Sequence, residues 1–274
     1  MYNFLFWLFL AGSILACMQD LKRREVDNWL NYFLGEFGLV FLVFSAIFLN
    51  DWMIVVFGLM SFGVMFVLGH GFYYGRIFAG GDAKFLIAIF ALFVGLTWMQ
   101  TLENIGIFVL FLMLAGAAYG LLYGFGLFVA NFRRVSIAAS EEMKHYYFYI
   151  PFIFGLILVF FNGWSLFFGI MLLIYSVLFV FAKSIENSLM IHSCDAQKLQ
   201  EGDWLFKDVK VGQRTIKANW DGLTLSQIAM LRKANKKVFI KEGIPFMPAF
   251  VIALLMYYFF SSSFLNSIFS MFGF

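Results

Sequence analysis

Long, unbroken apolar runs dominate this chain and leave it few ways to fold. They are Asn3–Met18, Leu30–Leu49, Trp52–Leu68, Phe85–Met99, Ile105–Phe132, Phe148–Phe161, Trp164–Ala182 and Ile244–Phe260. Runs of about 18 or more apolar residues mark membrane-spanning helices. Composition points the same way: 63% of the 274 residues are hydrophobic and 13% are charged, against roughly 25% charged in soluble domains. With 40 Phe and a mean hydropathy of +0.87, such a chain would aggregate in water. The expected fold is an all-α polytopic membrane helix bundle.

The breaks between runs divide into two kinds. Asn50-Asp51, Glu103-Asn104 and Asn162-Gly163 hold no Lys or Arg, whereas the other connections hold all 19 basic residues. The two kinds alternate along the chain. Positive loops remain cytoplasmic, so the N-terminus and the final tail are expected outside and the basic loops inside. Eight spans satisfy this parity, and so do six if Phe148–Ala182 forms a re-entrant or peripheral hairpin. The first half of that segment is short beside the roughly 20 residues a span needs. No basic residue precedes the first run, which is therefore read as a mature span and not a cleaved signal. Cys17 and Cys194 are far apart, and neither belongs to a C-x-x-C pair. That disfavours a zinc ribbon, a redox motif or a disulfide framework.

One stretch is polar. Ser184 to Gly243 is long enough for a small cytoplasmic α+β domain inserted before the last span. Trp204-Leu205-Phe206 and Arg214–Trp220 suggest short strands around a turn at Gly212, and Lys237–Lys241 alternates like a strand. Thr224 with Gln227 forms a capping box that opens a helix toward Lys236. The basic balance of this domain suits the anionic inner leaflet, and equally the ordinary charge bias of cytoplasmic segments. The expected division is 1–132, a membrane core; 133–183, a loop and an added hairpin; 184–243, the small domain; and 244–274, the last helix and tail. Gly116, Gly120, Gly124 and Gly126 are read as sites of close helix packing.

Among the acids, Asp51 and Glu103 fall in outer turns. Asp20 follows the first apolar run by two residues, and Asp82 precedes the fourth by three. Both fall on the side assigned to the cytoplasm. Carboxylates at the membrane edge that can face a bundle are functional suspects. Asp20 ends its helix, where the macrodipole disfavours negative charge, and Asp82 begins one, where it is favoured. Two carboxyls sharing a proton can divide the work of hydrolysis, one holding water as base and the other protonating a carbonyl oxygen. Gly80 and Gly81 before Asp82 permit a tight bend and close approach of a substrate strand. A plainer reading makes this a glycine turn with Asp82 as helix N-cap. The plainer reading of Asp20 is a counterion within a basic interfacial loop.

Taken together, these segments resemble the type IV prepilin peptidases, more closely the archaeal preflagellin and prepilin peptidases, membrane aspartic proteases of the GxGD class. Asp20 and the run Val26-Asp27-Asn28-Trp29-Leu30 carry the first match, and Gly81-Asp82-Ala83-Lys84 the second. Gly243-Ile244-Pro245-Phe246-Met247-Pro248 resembles the entry to the last span in archaeal members. Gly202-Asp203-Trp204-Leu205 and Asp221-Gly222-Leu223 fit their cytoplasmic domain. Ala79 departs from the pattern, standing where GxGD has its first glycine.

The resemblance implies a peptidase that removes short basic leaders from prepilin or preflagellin precursors at the cytoplasmic face. Asp20 and Asp82 would be catalytic and Gly80, Gly81 and Lys84 supporting. Glu25, Asp27 and, further along, Glu36 would be contacts for the basic leader. Lys84 and Arg76 would orient an acid or a carbonyl oxygen, or merely snorkel to the interface. The cysteine cluster that accompanies methyltransferase activity in bacterial members does not occur in this sequence, so peptidase activity alone is expected. No metal or cofactor is expected: His70, His145 and His192 lack ligand spacing, and water activated by the acid pair is the nucleophile. Expected partners are the precursors and membrane lipids, with no nucleic acid. Two rivals remain. A presenilin-type protease carries its first acid in a Tyr-Asp pair, but Gln19 precedes Asp20. An ion-coupled transporter would place its acids near the midplane, often with inverted repeats.

Overall fold

The computed structural model describes residues 2–161, 163–199, 201–212, 214–219 and 222–272. Asn162, Trp220 and Asp221, named above in a turn, a strand and a motif, lie outside them. The chain packs as two compact units, 1–121 with 244–274, and 122–243. It leaves the first within a long helix and returns between Gly243 and Ile244.

The first unit holds α1 (Tyr2–Arg23), α2 (Asn28–Leu49), α3 (Met53–Tyr74), α4 (Gly80–Ala88), the start of α5 (Trp98–Ala130), and, at the chain's far end, the helix Met247–Phe272. Asn50 ends α2 in the left-handed conformation at φ 51°, and the Asp51 carboxylate accepts from the Met53 N–H at 2.9 Å. That turn lies where the polar break placed it. Glu103 does not lie in a turn: α5 begins at Trp98 and runs straight through it. Gly12 on α1 lies against Leu34 on α2, and Gly38 against Ala91 and Phe9, with Cβ positions that would come within 2.9 Å of Leu34 and 2.8 Å of Ala91. Phe6 near the start of α1 stacks on Tyr258, 4.1 Å between centroids.

The fourth apolar stretch is not one helix. α4 stops at Ala88, a 3-10 turn covers Phe90–Phe93, and Val94 is extended. Every residue from Ala88 to Val94 is buried. Broken backbone within a membrane bundle is tolerable only where protein surrounds it and satisfies its polar groups. Here side chains do so. Ser61 donates to the Phe90 carbonyl at 2.7 Å and Asn104 to the Phe93 carbonyl at 3.2 Å. The Gly95 N–H reaches the Thr101 hydroxyl at 3.0 Å, and the Leu96 N–H reaches Gln100 at 2.8 Å.

The second unit contains α6 (Phe132–Glu142), α7 (Tyr146–Val159), α8 (Trp164–Ile185) and the polar domain. α7 and α8 pack closely at Gly155 and Gly169; a Cβ on Gly169 would lie 2.9 Å from the Gly155 carbonyl. At 14 residues, α7 spans about 21 Å, short of a hydrocarbon core of about 30 Å. In the polar domain, β1 (Ile191–Asp195), β2 (Trp204–Leu205) and β5 (Lys237–Lys241) form an antiparallel sheet of order β1-β5-β2, and β3 (Val209–Val211) pairs with β4 (Arg214–Ile216). α9 (Leu225–Lys233) opens on the Thr224–Gln227 capping box, and Arg232 donates to the carbonyls of Ala196 and Leu199. Leu205, Ile216, Ile228, Leu231, Val238 and Ile240 are among its small core. α10 (Met247–Phe272) closes the chain.

Among the described residues, five helices are long and apolar enough to cross a membrane: Asn3–Arg23, Asn28–Leu49, Met53–Tyr74, Trp98–Ala130 and Trp164–Met190. Tyr146–Val159 and Met247–Ser261 are shorter apolar helices. The protein is a multi-pass helical membrane bundle with a small strand-containing domain late in the chain. Of the four α5 glycines, Gly116 lies against the Phe246 ring and Gly124 against Phe181 and Ile185, whereas Gly120 and Gly126 have open space around them.

Candidate active site

Asp20 lies in the last turn of α1 and is 7% exposed. Its helix end is a poor place for negative charge, but its carboxylate is not left to that field. Oδ2 accepts from the Met247 N–H at 3.0 Å, and the Phe246 N–H also donates to the carboxylate. These are orphan donors at the N-terminus of α10, so Asp20 closes the start of a helix more than two hundred residues away. The dipole of α10 opposes that of α1 at this point. Pro248 fits the first turn of α10, where no N–H is needed.

The approach to α10 is packed by aromatic rings. Phe246 and Phe250 lie against Phe78, and Phe250 meets Phe85 edge to face.

Asp82 is 9% exposed. The helix already begins at Gly80, so Asp82 is its third residue and not its cap, as the plainer reading had it; Ala79 holds the cap position. The Asp82 carboxylate reaches back to the Ala79 N–H, the return half of a capping box. Asp82 lies outside the long apolar helices. Burial pushes its carboxyl up to about 7, and the nearby charge of Asp20 adds to the shift. The two acids therefore share one electrostatic neighbourhood inside one unit. Which of them holds a proton is a property of the pair.

The residues around them have distinct places. A Cβ on Gly81 would lie 3.7 Å from the Val26 backbone nitrogen, and one on Gly80 would lie 3.7 Å from the Tyr73 ring. Gly81 thus faces the loop between α1 and α2. Lys84 does more than reach for the interface: its Nζ donates to the Asn28 carboxamide at 2.8 Å, joining α4 to the first residue of α2. Arg76 follows α3 in the left-handed conformation at φ 59°.

Asp27 is engaged. Its Oδ2 accepts from Arg23 at 2.8 Å, Gln19 at 3.1 Å and the Trp29 indole at 3.2 Å, and its N–H donates to Gln19. The Arg23 guanidinium holds its carboxyl below the usual range. Glu25 and Glu36 are exposed. Among the described residues, no group of three or more His, Cys, Asp and Glu is gathered as metal ligands.

Two features of this site were missed by sequence reasoning. The donors from Phe246 and Met247 could not be found from local pattern, since only the fold brings them to Asp20. Asn31 was also missed, because it reads as one polar residue within an apolar run. It is 6% exposed on the inward stripe of α2.

Residues 7–130 match the type IV leader peptidase family. A preflagellin peptidase of Methanococcus maripaludis (strain C6 / ATCC BAA-1332) is 37% identical over 81 residues, covering 30% of this chain and 35% of that protein. The alignment thus spans about a third of that relative's length. The matched stretch holds both buried aspartates, most of α1, and α2 through α5 in full. Residues 7–130 are thus similar in sequence to the type IV leader peptidase family, in keeping with the resemblance to preflagellin and prepilin peptidases carried by the Asp20 and Asp82 segments.

Proposed function

We propose that this protein is a membrane aspartic endopeptidase that removes short basic leaders from preflagellin or type IV prepilin-like precursors, with Asp20 and Asp82 as the catalytic pair. The observation that carries the reading is the pair itself: two buried carboxyls at the ends of α1 and α4, coupled closely enough that one shifts the titration of the other. The family match over the stretch that holds them adds to it.

The chemistry follows from sharing a proton. A water between the carboxyls loses a proton to the ionised member while attacking the scissile carbonyl carbon. The neutral member protonates the carbonyl oxygen, and the resulting tetrahedral carbon collapses with the leaving amine taking a proton. Gly80, Gly81 and Lys84 support the site, Lys84 by pinning α4 to α2. Glu25 is the open carboxylate for a basic leader, and Asp27 shapes the loop that presents it. The acids act at the cytoplasmic face, with the N-terminus outside, as the distribution of basic loops supports. The chain needs no metal and carries no methyltransferase activity. The divisions 1–132, 133–183, 184–243 and 244–274 serve as catalytic core, added hairpin, cytoplasmic domain and closing helix.

The test uses detergent-purified protein and a precursor with a basic leader before an apolar helix. Wild type is expected to cut it, while Asp20→Asn and Asp82→Asn are expected to lose essentially all activity. Cleavage surviving in either variant removes that acid from the mechanism. An ion-binding defect in the variants, with no cleavage by wild type, moves the protein to the carriers.

A further inference from the structure

Asn31 is a buried carboxamide that the mechanism above does not use. It is 6% exposed, and neither its Oδ1 nor its Nδ2 has a hydrogen-bond partner among the described residues. Leaving both halves of a buried amide unmatched is costly, since each group has given up its hydration with nothing in return. Buried polar groups are nearly always paired, so this exception needs a reason.

Its position supplies one. α1 and α2 form an antiparallel hairpin: Leu34 packs on Gly12, and the Asp27 N–H bonds to Gln19. On that register Asn31 stands opposite Leu15, about 7–8 Å deeper than Asp20. α4 runs beside the same stretch. Asn28, three residues before Asn31, holds Lys84, and Gly35, four residues after it, lies against the Ala88 backbone. Asn31 thus occupies the seam between the helices that carry the two acids, just inside them. Its stripe continues through Leu34, Gly38 and Leu42.

The unmatched atoms define what would fit. An anion would satisfy Nδ2 alone, and a cation Oδ1 alone. A group offering one acceptor and one donor side by side satisfies both, and a residue in extended chain, whose own N–H and C=O point to the same side, is such a group. Resting on the endopeptidase reading, we propose that Asn31 is a substrate-binding residue, whose carboxamide pairs with the backbone N–H and C=O of one extended residue of the precursor just to the apolar side of the scissile bond. The segment that threads between the acids must leave its hydration behind. Asn31 would return one donor and one acceptor to it in a dry setting, where such bonds are strong.

Asn31→Leu keeps the size and removes both polar atoms. Precursor binding is measured in the Asp82→Asn background, and cleavage kinetics in the native background, alongside thermal unfolding. The expected result is a roughly tenfold weaker Kd and a similar fall in kcat/KM, carried mainly by KM, with Tm unchanged or raised. Unchanged binding and kinetics overturn the proposal and leave Asn31 as the seat of a resident water. Loss of activity together with a lowered Tm overturns it in favour of a structural role. If Asn31→Leu does not fold, Asn31→Thr, which keeps one hydroxyl, is read by the same criteria. Wild type that neither cuts nor binds the precursor sinks the endopeptidase reading itself, a separate outcome from intact cleavage that ignores Asn31.

Discussion

At residue 82 the buried carboxyl sets a pH dependence. Below about pH 3.8 it is neutral in both the folded and the unfolded chain. Between there and about 7 the unfolded chain releases the proton and the folded chain keeps it, so folding loses stability as pH rises through this window. The full loss is on the order of a few kcal/mol. Asp82→Asn removes this dependence. Its Tm advantage over wild type in detergent is expected to widen from pH 4.5 to pH 8, and a gap that stays constant refutes the shift. Cleavage should likewise fall above about pH 7, as the pair loses its shared proton. Asp20 is tested differently, because it also satisfies two N–H groups of α10. Asp20→Asn keeps an acceptor, whereas Asp20→Ala strands both donors. The Ala variant should melt lower than the Asn variant by the equivalent of about 1–3 kcal/mol, although both are inactive on the proposed mechanism. Equal melting would mean that this contact contributes nothing.

Among the elements, α4 meets its neighbours in two ways. A Cβ at Gly69 on α3 would come within 2.8 Å of Ile87 and 3.1 Å of the Ala83 carbonyl, so Gly69→Ala forces α3 and α4 apart. We expect a loss of about 1–3 kcal/mol, read as lowered thermal stability. At Gly81 the same methyl meets only ordinary contacts near Val26, and a helical Gly→Ala change gains about 0.5–1 kcal/mol. Gly81→Ala should therefore fold at least as well as wild type, and any activity it loses reports a need for close substrate approach. How far these elements were legible in the sequence depended on the range of the signal. The Thr224–Gln227 box and strand Lys237–Lys241 are local patterns and were read with their correct bounds. Ile191–Asp195 was missed because Ile-His-Ser-Cys-Asp shows no clean alternation, and its strand exists by pairing with β5. The interruption after Ala88 was invisible because its residues are as apolar as a span. What permits the break is the set of polar side chains on α3 and α5 that meet its backbone.

For the whole molecule, the apolar runs were enough to identify a membrane bundle, since each is a one-dimensional signal of solvent preference. The relation between Asp20 and α10 was not legible, because nothing in either segment names the other across 227 positions. Orientation is a whole-chain property and can be tested as one. With Cys17 and Cys194 replaced by Ser, a membrane-impermeant thiol reagent applied to intact cells should label Trp52→Cys, in the turn before α3. It should spare Leu225→Cys, in the polar domain. The reverse pattern would turn the molecule over and place both acids on the other side. The bond from the end of α1 to the start of α10 also bears on biosynthesis. A ribosome adds roughly 5–20 residues per second, so the N-terminal acid is inserted tens of seconds before its backbone donors are translated. The nascent chain therefore stays in the bilayer with the Asp20 carboxylate unmatched, and translation of Phe246 and Met247, not insertion of α1, completes this contact.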